Sequence, residues 1–455
     1  MIAPLNLKSL QQEFSWQLIG ANCSFDSVSI DTRTLQSGDL YVALVGDNFD
    51  GHDFVTAAIA KGACAVLSSK KLDIAVSQLI VSDTRLGLAM LANVVRKQFN
   101  GILVSLTGSA GKTTVKEMLA AIFAVKGEVL ATKGNLNNEI GVPLTLLQLA
   151  QSHDYAVIEM GAGKPGDIRY LSQITNPDIA ILLNAKPVHL DGMGSVEGVA
   201  QTKGEIFESL SSKCHAIVNL DDDFADFWKQ RIDTAQIVTF GLNTDADVGA
   251  ENIELSADSV TFNLRANNQT QTVNLPVAGA HNMVNALAAA AAAIAAGLSI
   301  SEIAQGLTSF SGVASRLNRS SGINGCMVID DSYNANPEAM MAAIDVLAMQ
   351  AGNHILVLGD MGELGEKADQ FHFEIGQYAK QNKVSRLLAV GELSRHAIRG
   401  FGDNGEWFSS QQELITSLTN SVKQSDVVLV KGSRSAAMEN VVIKIKNPSN
   451  NMVGG

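Results

Sequence analysis

Gly108, Ser109, Ala110, Gly111, Lys112, Thr113 and Thr114 spell GSAGKTT between an apolar run (ILVSLT, 102–107) and a helix-like one (TVKEMLAAIFAV, 114–125). A turn of small residues from strand to helix lets backbone N–H groups approach phosphate oxygens, and the helix start adds a favourable dipole. In such a loop a lysine reaches the outer phosphates and the following hydroxyl can ligate Mg²⁺, roles that fall to Lys112 and Thr113. The full phosphate-loop pattern asks for one more glycine, at the position of Leu106. Leu106 is expected inside the strand, before the backbone has to wrap around phosphate, so the change is tolerable.

Other residues could complete this chemistry. Glu159 ends the apolar run YAVIE, and a cation held between phosphates usually takes one or two carboxylates. A carboxylate facing solvent at a strand end would look the same. His189, in HLDGMGS, follows the next strand and could ligate a second metal or touch phosphate. Lys203, in QTKGEIFESL (201–210), is predicted near the start of a helix, where composition alone makes it a solvated lysine. His281, Asn282 and Asn285 open an alanine-rich helix. Asparagine can offer an adenine edge both a donor and an acceptor, although helix capping explains Asn282 equally well.

The elements that must position these groups follow a pattern of buried strand, loop and helix from about 100 to 311. Continuous apolar strands separated by helices predict a parallel sheet covered on both faces. Ligands bind such sheets at the strands' carboxyl ends, where Thr107, Glu159, Asn184 and Asp221 fall. Residues 1–83 alternate short β-like runs with one helix-like piece, and a helix is expected over 84–99. The stretch SFSGVASRLNRSSGING (309–325) reads as a junction, and a third α/β pattern follows it. There Asn336–Pro337 has the form of an N-cap and first helical residue. The reading is an α/β chain of three domains: 1–83, 84–311 and 312–455. A central P-loop parallel-sheet ATPase is flanked by a small N-terminal α/β domain and a Rossmann-like C-terminal one.

Bulk properties narrow the function. The 455 residues are 46% hydrophobic and 17% charged, which supports folded cores rather than disorder. A net charge of −13 argues against nucleic acid or an anionic membrane as partner. Cys23, Cys64, Cys214 and Cys326 lie far apart with no CxxC, so they are expected to be reduced and mostly buried thiols. The start MIAPLNLKSLQQEF lacks the form of a signal peptide, and ALAAAAAAIAAGL (286–298) is too short to span a bilayer. A cytoplasmic monomer is the expectation.

Taken together, IDTRTLQSGDLYVAL, TGSAGKTTVKEML, TKGNLNNEIGVPLTLL, IEMGA, HLDGMGS, TKGEIF, GAHNMVNALAAAAA, SRLN, IDDSYNANPEAM, LGDMGELG and VKGSRS resemble the Mur ligase family across nearly the whole chain. These are ATP-dependent enzymes that build the peptide stem of bacterial cell-wall precursors. GNLNNEIGVPLTLL and LGDMGELG look most like the member that joins D-alanyl-D-alanine to UDP-N-acetylmuramoyl-tripeptide. The resemblance implies phosphoryl transfer from ATP to a carboxylate, attack of the amine on the acyl phosphate, and release of ADP and phosphate. It implies a first Mg²⁺ at Thr113 and Glu159, and a second at His189 and Lys203, the lysine carbamylated. Asn282, Asn285, Arg316 and Asp330 resemble nucleotide contacts, and Asn137 and Asn138 contacts to the sugar peptide. Asp31, Thr32 and Arg33 match a uridine-side motif, with Thr32 replacing serine. Asn334, Asn336, Lys431 and Arg434 resemble a third-domain face that meets the substrates. Lys164 and Lys186, where the spelling departs from the family, receive no role. Other ligases of the superfamily, such as folylpolyglutamate synthases, and a P-loop switch are the alternatives. The first-region motif and LGDMGELG argue against the ligases, while Glu159, His189 and Lys203 together exceed what a switch needs.

Overall fold

The structure is a computed structural model that describes residues 1–447 apart from Asp47 and His189. Its described residues form three α/β units, each around its own sheet, and a two-stranded ribbon of Leu5–Asn6 with Ser24–Phe25. In the first unit the strand order is Gln17–Ile19, Ser77–Ile80, Ala65–Ser68, Leu40–Val42 and Val28–Ser29, parallel except at the first pair. Helix Thr84–Gln98, capped by Asp83, leads out of this unit. Its Arg96 is buried and donates to the carbonyls of Thr175 and Asn176 and to Asp178, fixing the helix to the central unit.

The central sheet has nine strands. Ile102–Thr107 lies between Tyr155–Glu159 and Ile179–Leu182, parallel to both. Beyond Ile179–Leu182 come His215–Asn219 and Gln236–Phe240, then Val248–Leu255, Val260–Ala266 and Gln269–Leu275. The last three form an antiparallel meander, which the expectation of a wholly parallel sheet missed. Along Val260–Ala266 buried and half-exposed residues alternate, the mark of a sheet with one wet face. One face of the central sheet carries Lys112–Phe123, Ala280–Ala295 and Ile300–Ser309. Ala286 and Ala288 to Ala293 are all fully buried there, small side chains that let the helix pack closely.

The third sheet runs Asn318–Ser321, Met327–Asp331, Asp426–Lys431, Asn353–Gly359, Arg386–Val390 and Gly405–Phe408, parallel after the first pair. Four residues of the expected junction, Asn318–Ser321, are therefore edge strand. Asn336 caps helix Pro337–Ala348 through its side chain, as its sequence indicated. The thiols differ from expectation: only Cys326 is buried, and the other three are half-buried. Among the described residues no helix is long and apolar enough to cross a membrane.

Candidate active site

Leu106 lies wholly buried in the central strand, paired with Glu159 on one side and Ile181 on the other. The phosphate loop begins after it, as its sequence position required. Gly111 closes the loop in the left-handed region, at φ +83°. A Cβ there would come 2.3 Å from Asn285 Oδ1, so glycine is needed for conformation and for space. Gly111→Ala is expected to lower stability by about 1–3 kcal/mol, read from denaturant unfolding, and to weaken nucleotide binding in a titration.

The loop is held from the neighbouring strand exit. Asn184 Oδ1 accepts from Ala110 N (2.9 Å) while its Nδ2 donates to Ala110 O (3.2 Å). Ser109 Oγ donates to Lys186 O and accepts from Lys186 N, at 3.2 and 2.9 Å. Lys112 folds back over the loop, its Nζ 2.7 Å from Gly108 O. Burial pushes the pKa of its ammonium down, while the Glu159 carboxylate pulls it up.

Glu159 is 3% exposed. Its Oε1 accepts from Asn137 Nδ2 at 2.9 Å, and its backbone N donates to Thr132 Oγ1. Its Oε2 is buried and has no hydrogen-bond partner among the described residues. A buried carboxylate oxygen left unpaired is costly, and a hard cation seeking oxygen ligands would complete it. The site therefore fits Mg²⁺, with Thr113 on the same cavity wall. Asn138 is committed locally, its Oδ1 accepting from Ile140 N and Gly141 N.

His189 lies outside the described residues. Lys203 sits near the end, not the start, of its helix, which begins at Val196 because Ser195 caps it. It is 1% exposed, and burial together with the charge of Lys112 holds its pKa well below the usual value. Lys203 is not on the cavity wall, and its burial means that it is not the solvated lysine that composition suggested. Among the described residues no group of three or more His, Cys, Asp or Glu could hold a metal. A Mg²⁺ that draws on phosphate and water oxygens needs none.

One cavity of about 870 Å³ joins the central and third units. Its wall includes the loop from Ser109 to Thr114, Asn137, Asn138 and Glu159, as well as Asn282, Asn285 and Arg316, and then Asn334, Asn336 and Lys431. Asn282 does not cap its helix; Gly279 occupies that position and Asn282 Nδ2 donates to Ala278 O at 2.7 Å. Arg316 stacks over the Tyr333 ring at 4.4 Å. His281 also faces the cavity, and burial pushes its pKa down to about 4 despite the nearby Asp331.

Several expected residues lie elsewhere. Asp330 points away from the cavity, and its carboxylate accepts from Ser332, Ser315 and Lys446. Successive strand residues face opposite sides, so Asp331 is the one on the cavity wall. There Lys431 Nζ meets Asp331 Oδ2 at 2.5 Å and Asn334 O at 2.9 Å, fully enclosed. Burial lowers the lysine's pKa and Asp331 raises it. Lys431→Met would strand the buried Asp331 charge, and is expected to cost about 3–5 kcal/mol in denaturant unfolding. Arg434 is exposed, off the cavity, and paired with Glu439 at 2.9 Å. Asp31, Thr32 and Arg33 belong to the first unit, away from this wall. Arg33 grips Asp31 through two nitrogens and holds its carboxyl at about 2. Asp331, Lys186 and Glu338 were not singled out in the sequence as site residues; only the period-two alternation of IDD could have pointed to Asp331.

Family models match three successive stretches: the Mur ligase family catalytic domain at 24–106, the Mur ligase middle domain at 106–293, and the Mur ligase glutamate ligase domain at 315–434. The UDP-N-acetylmuramoyl-tripeptide–D-alanyl-D-alanine ligase of Escherichia coli is 44% identical over 441 residues, 96% of this chain and 97% of that protein. A crystal structure of MurF from Acinetobacter baumannii superposes with a TM-score of 0.92 at 37% identity, covering 97% of this chain and 98% of that one. MurF ligase from Thermotoga maritima, solved in complex with ADP, gives a TM-score of 0.83 at 30% identity over 92% of this chain and 96% of that one. With its phosphate loop, its orphaned glutamate oxygen and its three sheets in this order, the chain belongs to the Mur ligase family.

Proposed function

We propose that this protein is an ATP-dependent ligase that adds D-alanyl-D-alanine to UDP-N-acetylmuramoyl-tripeptide in peptidoglycan precursor synthesis, releasing ADP and phosphate. One observation carries the reading. A single cavity brings the phosphate loop and the unpaired Glu159 Oε2 together with third-unit groups around Lys431. That is the arrangement needed to activate an acid at one wall and deliver an amine from the other. The relatives of known name and high coverage support the same substrates.

ATP with divalent ions supplies the phosphoryl group that converts a carboxylate, whose leaving group would be oxide, into an acyl phosphate that an amine can displace. The chain's own task is positioning and charge neutralisation, which dominate such transfers. Backbone N–H groups of Ser109 to Thr114 and the Lys112 ammonium would cradle the outer phosphates. Thr113 and Glu159 would hold the first Mg²⁺; the family resemblance offers His189 and Lys203 for a second, although Lys203 is buried off the cavity wall. Asn282, Asn285 and Arg316 would hold the nucleoside. Neutral at ordinary pH, His281 adds no charge against it. Asn137, placed by Glu159, would orient the tripeptide with Asn138, while Asp31, Thr32 and Arg33 would bind the uridine side in a first domain over 1–83. The central domain would span 84–311 and the amine-binding domain 312–455. Monomeric action in the cytoplasm completes the reading.

Lys203 is the candidate for carbamylation. A neutral amine adds to CO₂, losing a proton, and becomes an anionic oxygen ligand; its lowered pKa supports that. Native mass spectrometry in bicarbonate should then show one added CO₂ per chain, absent in Lys203→Ala. Loss of activity in Lys203→Ala that short-chain acids restore would agree, and full activity without them would oppose it.

The function is tested by following ADP release and product mass together. ADP formation should require both UDP-N-acetylmuramoyl-tripeptide and D-alanyl-D-alanine, with one amide formed per ADP. Hydrolysis of ATP indifferent to either substrate would point to a switch instead.

A further inference from the structure

Lys186 occupies an unusual place. Its backbone N and O are both hydrogen-bonded to Ser109 Oγ, so the residue is fastened to the phosphate loop itself. Its side chain leaves the central unit and meets Glu338 Oε1 at 3.5 Å. Glu338 stands in the first turn of helix Pro337–Ala348, whose N-cap Asn336 lines the cavity. Both charged residues line that cavity too. Below Lys186, Asp222 is buried and accepts from Ala185 N; burial raises the pKa of its carboxyl, and the Lys186 ammonium offsets part of that rise.

The geometry points to Lys186 and Glu338 as a positioning pair that ties the third unit to the phosphate loop, aligning the amine-binding wall with the nucleotide. This rests on the ligase reading above. The lysine has no need to touch substrate. Its backbone is tied to Ser109 and its head group meets the third-unit helix, so the residue links the placement of the loop to that of the helix. The pair is partly exposed, at 35% for the lysine and 50% for the glutamate, so its contribution is modest and salt-sensitive. It acts on the placement of the third unit and not on the phosphoryl step.

The test is a charge-reversal cycle of Lys186→Glu, Glu338→Lys and the double exchange. Each single reversal is expected to raise KM for D-alanyl-D-alanine by about two- to fivefold with a smaller change in kcat, an effect that shrinks in high salt. The exchanged pair should regain most of the loss. Hydrogen exchange is read in parallel on segments 184–188 and 336–342, with an unhydrolysable ATP analogue present. Both segments should exchange faster in the single reversals and recover in the double exchange. This second readout does not depend on ligation, so it supports the pair even if the reaction assigned above proves to be another. Single reversals that leave both KM and exchange unchanged, or an exchanged pair no better than either single reversal, would overturn the proposal.

Discussion

Lys112→Met is expected to reduce ligation by about 10²–10³-fold in kcat, the scale of losing one preorganised charge from a transition state. The lysine is the cationic side chain of the phosphate loop itself, folded over Gly108 O and facing Glu159. Its burial disfavours the charged form, so methionine of similar length removes a desolvated ammonium rather than a stabilising one. Circular dichroism and unfolding should therefore change little while turnover collapses. A variant that loses turnover only because it fails to fold would not support the assignment. A variant that keeps folded structure and near-normal turnover would contradict it.

Glu159→Gln separates stability from function more sharply. The amide can still accept from Asn137 through its oxygen, and it replaces a charged group that is 3% exposed with an unpaired oxygen. Without nucleotide, the variant is expected to be about as stable as the parent, because it removes a buried charge whose second oxygen has no hydrogen-bond partner. With ATP and Mg²⁺ the parent should become the more stable. Binding to the folded state alone raises stability in proportion to ligand affinity, and the variant should gain far less of it. Turnover should fall by about 10²-fold or more, with half-saturation moved to higher Mg²⁺. Unfolding curves with and without Mg²⁺ and an ATP analogue measure the first effect, and initial rates across a Mg²⁺ series the second.

Sequence made some parts of this site legible and hid others for identifiable reasons. The phosphate loop was readable despite Leu106, because Leu106 lies in the strand and the loop needs its small residues only from Gly108 onward. Glu159 was readable as a candidate from its place at a strand end, but the unpaired Oε2 that gives it a role depends on where Asn137 and Thr132 fall in space. Asp330 and Asp331 show how one position matters: both end the same strand, and only pleating decides which faces the cavity. On composition alone Lys203 reads as a solvated helix residue, because nothing local announces burial; only the family resemblance, through a carbamylated lysine that must be buried, pointed to the enclosure that packing provides. The antiparallel meander from Val248 to Leu275 was hidden because its exposed face carries polar residues, so no apolar run marks it. Arg434, sharing VKGSRS with Lys431, sits past the strand end and turns outward to Glu439. The bond between Ser109 and Lys186 joins residues 77 positions apart, a distance no short motif can span.

The central claim is that a triphosphate lies on the 108–114 loop, with a cation bound to Glu159, inside the cavity shared with the third unit. A crystal structure with an unhydrolysable ATP analogue, Mg²⁺ and the UDP-linked tripeptide measures it directly. The account predicts the outer phosphate within hydrogen-bonding reach of Lys112 Nζ, a Mg²⁺ on Glu159 Oε2, and the tripeptide's terminal carboxylate beside that phosphate. A nucleotide seated elsewhere, or Glu159 turned away from any ion, would contradict it.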